Sequence, residues 1–146
     1  MKFNALAALA LLVSGVASAH PTHDEWERRV PPKAEEPAPT PIPATYPELV
    51  TALGEQHAAA DTALAATKIA DFHRACRLLI EFAAAVPTKT SALPKDGQAT
   101  AAATATTLGE KVAETVAKAD KGDLEGAKAD LAAIKADVDV LSGLIK

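Results

Sequence analysis

Residues 69 to 86, I-A-D-F-H-R-A-C-R-L-L-I-E-F-A-A-A-V, decide the fold class of this chain. Apolar side chains recur in this stretch at alternating gaps of three and four, at Ile69, Phe72, Cys76, Leu79, Ala83 and Val86. On a helix this spacing places all six on one stripe, which can be buried along its whole length. The stretch therefore predicts a core helix, which ends at Pro87 because proline breaks the helical hydrogen-bond pattern.

Three other segments show the same spacing. The first helix is predicted from residue 46 to about 66, because Thr45 and Glu48 have the spacing of a capping box. Its stripe is Val50, Leu53, His57, Ala60, Leu64 and Thr67. One helix over 46–86 is the alternative, but a rod of about 60 Å would lack a partner long enough to cover it. A turn near residues 67–70 is therefore expected.

The second half of the chain predicts two more helices. A loop is expected over 88–97, followed by a third helix over 98–120, whose alanine-rich start favours fraying or close helix approach. Lys121-Gly122-Asp123 is typical of a sharp turn, and the fourth helix is predicted over 124–145. The inward residues are Ala105, Leu108, Val112, Thr115 or Val116, and Ala119 in the third helix, and Leu124, Ala127, Leu131, Ile134, Val138, Leu141 and Ile145 in the fourth.

Four such helices joined by short turns predict an all-α fold, an antiparallel up-down-up-down four-helix bundle over residues 45–146. A shift of 55 residues supports two similar helical hairpins. It superimposes stripe positions of the second helix on those of the fourth, placing Ile69 on Leu124, Cys76 on Leu131, Leu79 on Ile134 and Val86 on Leu141.

The chain before the bundle is predicted to have two parts. Residues 1–19 have the basic start, short apolar run and A-x-A ending of a signal peptide, so export to the periplasm, or alternatively to the extracellular space, is expected. Seven of the ten prolines lie within 31–47, and residues 20–44 are therefore predicted to be a disordered, proline-rich arm.

Composition excludes several classes of function. The formal net charge of −4 becomes −5 when Lys2 is removed with the signal peptide, and this acidic balance argues against a nucleic-acid partner. After residue 19 no stretch is apolar enough to predict a membrane helix, and no stable membrane anchor is expected. No nucleophile, base and orienting group can be assembled, so the chain is predicted not to be an enzyme.

Two histidines at the predicted mature amino terminus are candidate metal ligands. Cleavage after Ala19 would expose the amine and imidazole of His20, and His23 can add a second ring, a set suited to copper or zinc. The alternative is a solvated tail without a specific role. Arg28-Arg29 leaves open a second cleavage, which would discard the histidines in a fungal secretory context.

Within the predicted bundle, His73 and Cys76 share a helix face and could bind a soft metal, but such a site needs two more ligands. The alternatives are a boundary histidine beside Phe72 and a small buried thiol. His57 is either a ligand or proton-linked group, or a histidine hydrogen-bonded to Asp61 or a neighbouring helix.

The motifs T-Y-P-E-L-V, K-I-A-D-F-H-R-A-C and A-D-K-G-D-L-E-G-A-K-A-D-L resemble small exported helical-bundle proteins of bacteria, over about residues 45–146. Some of those proteins carry a histidine-rich amino terminus, which implies metal handling in the periplasm. The topology also resembles the cytochrome b562 and c′ group, whose haem binding needs a histidine on the last helix. Residues 124–145 contain none, so the haem role is not implied here.

The predicted function is therefore that of an exported, non-enzymatic bundle that handles copper or zinc through His20 and His23. The alternative is a structural or interaction module, or a carrier of a small apolar ligand held where the alanine-rich third helix packs loosely.

Overall fold

The computed structural model describes residues 39 to 145, and every regular element in that range is helical. Four α-helices follow one another: α1 Tyr46–Ala65, α2 Ile69–Lys89, α3 Lys95–Asp120 and α4 Leu124–Gly143. A short 3-10 turn, Thr90–Ala92, follows α2. These described residues contain no strand, and the helix packing is consistent with a bundle, so the predicted all-α class is confirmed.

The predicted signal peptide and residues 20–38 of the predicted arm lie outside the described residues. Residues 39–43 are described and have no regular structure. α1 then begins with the predicted capping box. The backbone N–H of Thr45 donates to Oε2 of Glu48 at 3.1 Å, and the backbone N–H of Glu48 donates to Oγ1 of Thr45 at 3.4 Å.

α2 contributes more buried residues to the core than any other described helix. Five of its six predicted stripe residues are buried, and only Ile69, in the first turn, is half-exposed. α3 presents Thr115 to the core, with Val116 half-buried beside it, which resolves the alternative between these two neighbours. The Thr115 hydroxyl donates to the Lys111 carbonyl at 2.7 Å, so the only polar group of this side chain is satisfied within α3.

Two helices end in the same hydrogen-bonded turn, the Schellman motif. After α1, the Lys68 N–H donates to the Ala63 carbonyl at 2.8 Å, and Thr67 has a φ of 57°. After α3, the Asp123 N–H donates to the Lys118 carbonyl at 3.0 Å, and Gly122 has a φ of 82°. Thr67 is exposed, and its expected place on the buried stripe of α1 is wrong because the chain has already turned.

Pro87 does not end α2, contrary to the sequence prediction. The helix continues through Pro87 to Lys89. Pro87 lies on the exposed side of α2, so its ring does not disturb the core. Its own carbonyl still accepts a hydrogen bond, from the Thr90 hydroxyl at 3.0 Å. The last turn of α2 therefore forms although Pro87 lacks an N–H donor. The connection between α2 and α3 consists of residues 90–94 and is shorter than the loop predicted over 88–97.

Two other predicted boundaries are displaced. α3 begins at Lys95 instead of residue 98, with Pro94 before it and Asp96 in the first turn, where a negative charge is favourable. Its alanine-rich start is helical throughout, and Ala101 is fully buried. Of the two expectations for this segment, this agrees with close approach to a neighbouring helix and not with fraying. α4 ends at Gly143, and Ile145, predicted to be part of the stripe, is 39% exposed because it lies beyond the helix.

Two ion pairs join α3 to α4. The ammonium of Lys111 lies 2.7 Å from Oδ2 of Asp137, and that of Lys118 lies 2.7 Å from Oδ2 of Asp130. The hydrogen bond to Asp130 is the main cause that raises the pKa of Lys118. Both lysines and both aspartates are spaced by seven residues, so the pairs occupy successive heptads of the two helices.

Candidate functional site

His20 and His23, the first candidate metal ligands, lie outside the residues that the structure describes. The second pair, His73 and Cys76, lies on α2. Within residues 39–145 no group of three or more His, Cys, Asp and Glu side chains is placed to hold a metal ion.

His73 lies beside the end of α3. Its Nε2 atom is 2.9 Å from Oδ1 of Asp120, and both side chains are about half-exposed. Although this distance is short, the two groups are not aligned for a hydrogen bond. Nε2 of His73 has no hydrogen-bond partner among the described residues. The contact is therefore electrostatic, and it links α2 to α3 when His73 is protonated.

Cys76 is buried one turn further along α2, with 1% of its surface exposed. Burial raises the pKa of this thiol from 9.0 to about 12, because the thiolate would lose its hydration. The thiolate is the form that reacts and binds metals, and it is suppressed here at neutral pH. The position agrees with the alternative of a small buried thiol.

His57 on α1 contacts the facing helix α4. Its Nε2 atom lies 2.8 Å from the carbonyl oxygen of Leu131. A carbonyl only accepts hydrogen bonds, so Nε2 carries the proton and donates it. Of the alternatives left open by the sequence, this is a histidine bonded to a neighbouring helix, with the backbone of α4 as its partner.

Tyr46, the first residue of α1, was not singled out as a site residue by the sequence analysis. Its hydroxyl donates to the carbonyl oxygen of Leu141 at 2.8 Å, and only 3% of the residue is exposed. Burial raises the pKa of this phenol. The hydrogen bond ties the beginning of α1 to the end of α4, at one end of the bundle.

An apolar pocket lies next to this hydrogen bond. It has a volume of about 360 Å³ and is lined by Tyr46 and Pro47 of α1, Ala92 to Pro94 of the loop, and Leu144 and Ile145 after α4. Leu93 and Leu144 are half-buried and pack against the core. Pro47, Ala92, Pro94 and Ile145 are exposed around the rim. We call this feature the end pocket.

The sequence carried a weak signal for the end pocket. Leu93 is a large apolar residue in a predicted loop, and Leu144 lies in the predicted fourth helix between the stripe positions Leu141 and Ile145. Neither residue continues a helical stripe, and large apolar residues outside the stripes can pack at the end of a bundle. The partners of each residue, however, could not be read from spacing, because the three lining segments are far apart in the chain.

Two other grooves are more open to solvent than the end pocket. One, between α1 and α2, is bordered by Lys68 and Asp71. The other lies between α2 and α3, where Gly109 and Ala113 of the alanine-rich helix face Ile80. The groove beside α3 thus lies at the surface, while the pocket with the more enclosed apolar walls is at the bundle end and not beside the alanine-rich part of α3, where a ligand was expected.

Comparison with known proteins gives no relative: no family model, curated protein or solved structure matches this chain. Among the described helices, none is both long and apolar enough to cross a bilayer.

Proposed function

We propose that this protein is an exported, non-enzymatic binding module that holds a small apolar ligand in the end pocket. The observation that carries the proposal is the pocket itself, whose lining side chains are all apolar apart from one hydroxyl already engaged in a hydrogen bond. Its volume of about 360 Å³ falls in the range of small-molecule sites.

The polar groups of the interior support a non-enzymatic role. His57 donates to the Leu131 carbonyl, the Tyr46 hydroxyl donates to the Leu141 carbonyl, and the Cys76 thiol is kept protonated by burial. The first two groups join α1 to the backbone of α4, and the third is not in the thiolate form that acts as a nucleophile. These contacts support a structural role for the three groups.

We further infer that the four helices run antiparallel. Pairs between α1 and α4 support this, because Tyr46 contacts Leu141 while the later His57 contacts the earlier Leu131. The α3–α4 ion pairs follow the same rule, since Lys111 meets Asp137 and Lys118 meets Asp130. Carbodiimide cross-linking with mass spectrometry is expected to join these two pairs, and a parallel arrangement would instead join Lys111 to Asp130.

Metal handling by His20 and His23 is a second proposal, and it rests on the sequence. The predicted mature amine with two imidazoles is a copper or zinc ligand set. Calorimetry with copper(II) compares the chain beginning at His20 with its His20→Ala/His23→Ala variant. Equal binding by both chains would remove these histidines from the proposal.

The end pocket is tested with the hydrophobic dye N-phenyl-1-naphthylamine, whose fluorescence rises in apolar surroundings. We expect saturable binding with one dye per chain. Ala92→Trp fills the pocket from its rim and is expected to abolish binding. Ala58→Trp is the matched control, since Ala58 is also exposed but lines the α1–α2 groove.

Unchanged binding by Ala92→Trp, or equal loss in both variants, would contradict the proposal. Equal melting temperatures of the folded variants, measured by circular dichroism, ensure that a loss of binding is not a loss of structure. Native mass spectrometry of protein purified from its own host would then identify a retained ligand.

A further inference from the structure

We propose that the end pocket recognises an amphiphile by its hydrocarbon chain alone: the chain end enters the pocket and the head group stays in water. This inference rests on the proposed function. It follows from four properties of the pocket, namely its polar groups, its opening to solvent, its size and its charge.

Three polar groups of the residues that line the pocket already have partners. The Tyr46 hydroxyl donates to the Leu141 carbonyl at 2.8 Å. The Leu93 carbonyl accepts from Nε2 of Gln98 at 2.8 Å, and the Leu93 N–H donates to the Thr90 carbonyl at 2.8 Å. A hydroxyl or amide of a ligand placed beside these groups would therefore lose its water without gaining a hydrogen bond from them, which is unfavourable. Because the lining side chains are apolar apart from the Tyr46 hydroxyl, we expect the part of the ligand that enters to be hydrocarbon.

The pocket is open on one side. Tyr46, at the floor, is 3% exposed, whereas Ile145 at the rim is 39% exposed. A ligand lying in the pocket thus has one buried end and one end at the surface. A polar group at the second end keeps its hydration, so a molecule with one apolar and one polar end fits the pocket better than a wholly apolar one.

The size of the pocket suits several methylene groups. An apolar cavity of about 150 Å³ is large enough for benzene, and the end pocket has a volume of about 360 Å³. Each methylene that enters is expected to strengthen binding about fourfold, which corresponds to about 0.8 kcal/mol.

No charged side chain lines the end pocket within the described residues. Among the described residues, a charged head group at the rim would therefore meet only charges outside the pocket lining, which solvent screens. We expect the sign of its charge to change the dissociation constant by less than about fivefold, the scale of an exposed ion pair.

The test measures displacement of N-phenyl-1-naphthylamine from the full chain by ligands that share one chain length. Decanol, decanoate and decyltrimethylammonium differ in the charge of the head group, and each is used below its micelle concentration. 1,10-Decanediol is the matched control ligand, because its second hydroxyl must enter the pocket with the chain end. Hexanol and octanol report the effect of chain length.

We expect the three decyl compounds to bind within about fivefold of one another. The diol should bind at least about tenfold more weakly than decanol, because it buries an unpaired hydroxyl. A preference of more than about tenfold for decanoate or for the ammonium compound would overturn the inference, since the head group would then be recognised. Equal binding of diol and decanol would also overturn it. In both of these cases the dye still binds and Ala92→Trp still blocks it, so the proposed function survives; absence of any dye binding contradicts both.

Discussion

Thr67 is the residue whose replacement tests the account of the fold most directly. It occupies the left-handed position of the turn after α1, with a φ of 57°. Gly122 occupies the corresponding position after α3, with a φ of 82°, and the two turns form the same hydrogen bonds. Glycine adopts this conformation without a steric penalty, whereas a β-branched residue rarely does. Thr67→Gly should therefore stabilise the protein.

The expected gain is the difference between two terms. A non-glycine residue in the left-handed region costs roughly 1–2 kcal/mol in the folded state. Glycine also makes the unfolded chain more flexible, which opposes the gain by about 0.4–1 kcal/mol. Thr67 is exposed, so its side chain contributes little packing. The free energy of unfolding should rise by about 0.5–1 kcal/mol, and the melting temperature by roughly 2–6 °C.

Gly122→Ala is the matched control. A Cβ atom built on Gly122 would meet nothing within 4 Å, so the substitution adds no steric contact and changes only the backbone preference. We expect it to lower the free energy of unfolding by about 1 kcal/mol. Both variants and the parent are compared by urea denaturation followed by circular dichroism at 222 nm, where helix is detected.

Equal m-values would show that the size of the unfolding transition is unchanged. A Thr67→Gly variant that is no more stable than the parent, together with a destabilised Gly122→Ala variant, would contradict strain at residue 67. In that case the left-handed conformation at residue 67 carries no strain, and the threonine side chain supports the turn by a contact of its own.

Three other predictions concern single interactions. Tyr46→Phe removes a buried hydrogen bond and leaves the Leu141 carbonyl with only the longer bond from the Leu144 N–H, so the free energy of unfolding in urea should fall by about 1–2 kcal/mol. An unchanged free energy of unfolding would show that water replaces the hydroxyl. Cys76 should react with Ellman's reagent at neutral pH only at the rate of unfolding, and rapid labelling of the native protein would contradict this. Because the pKa of Cys76 is raised, its contribution to the free energy of unfolding is fully present below about pH 9 and is lost as the pH rises towards 12. Asp137→Asn removes the ion pair with Lys111, and the expected loss of about 0.2–1 kcal/mol should vanish in concentrated salt; a loss that salt leaves intact would have another cause.

Much of the helical structure could be predicted because helix formation depends on near neighbours. The alternating gaps of three and four identified the inward side of each helix, and the core residues Phe72, Leu108 and Ile134 are all fully buried as expected. The capping box at Thr45 was predictable for the same reason, since its two partners are three residues apart.

Helix ends were less predictable where two local signals competed. At Pro87 the missing N–H favours an end, but the remaining hydrogen bonds of the last turn keep the chain helical to Lys89. The turn predicted near residues 67–70 is present after α1, but the left-handed conformation of Thr67 within it was not predicted, because threonine rarely adopts this conformation and the hydrogen bonds of the Schellman motif impose it here.

By itself, the sequence determined that four helices lie between residues 46 and 145 and which side of each helix is buried, because both properties repeat with the helical period along the chain. Only the tertiary structure decided the candidate site. The contacts of Tyr46 with Leu141 and of His57 with Leu131 join residues 95 and 74 positions apart, and the end pocket brings together three separate segments. Such contacts depend on how the packed helices are placed relative to one another, and that placement is fixed by the whole core, which no local sequence pattern encodes.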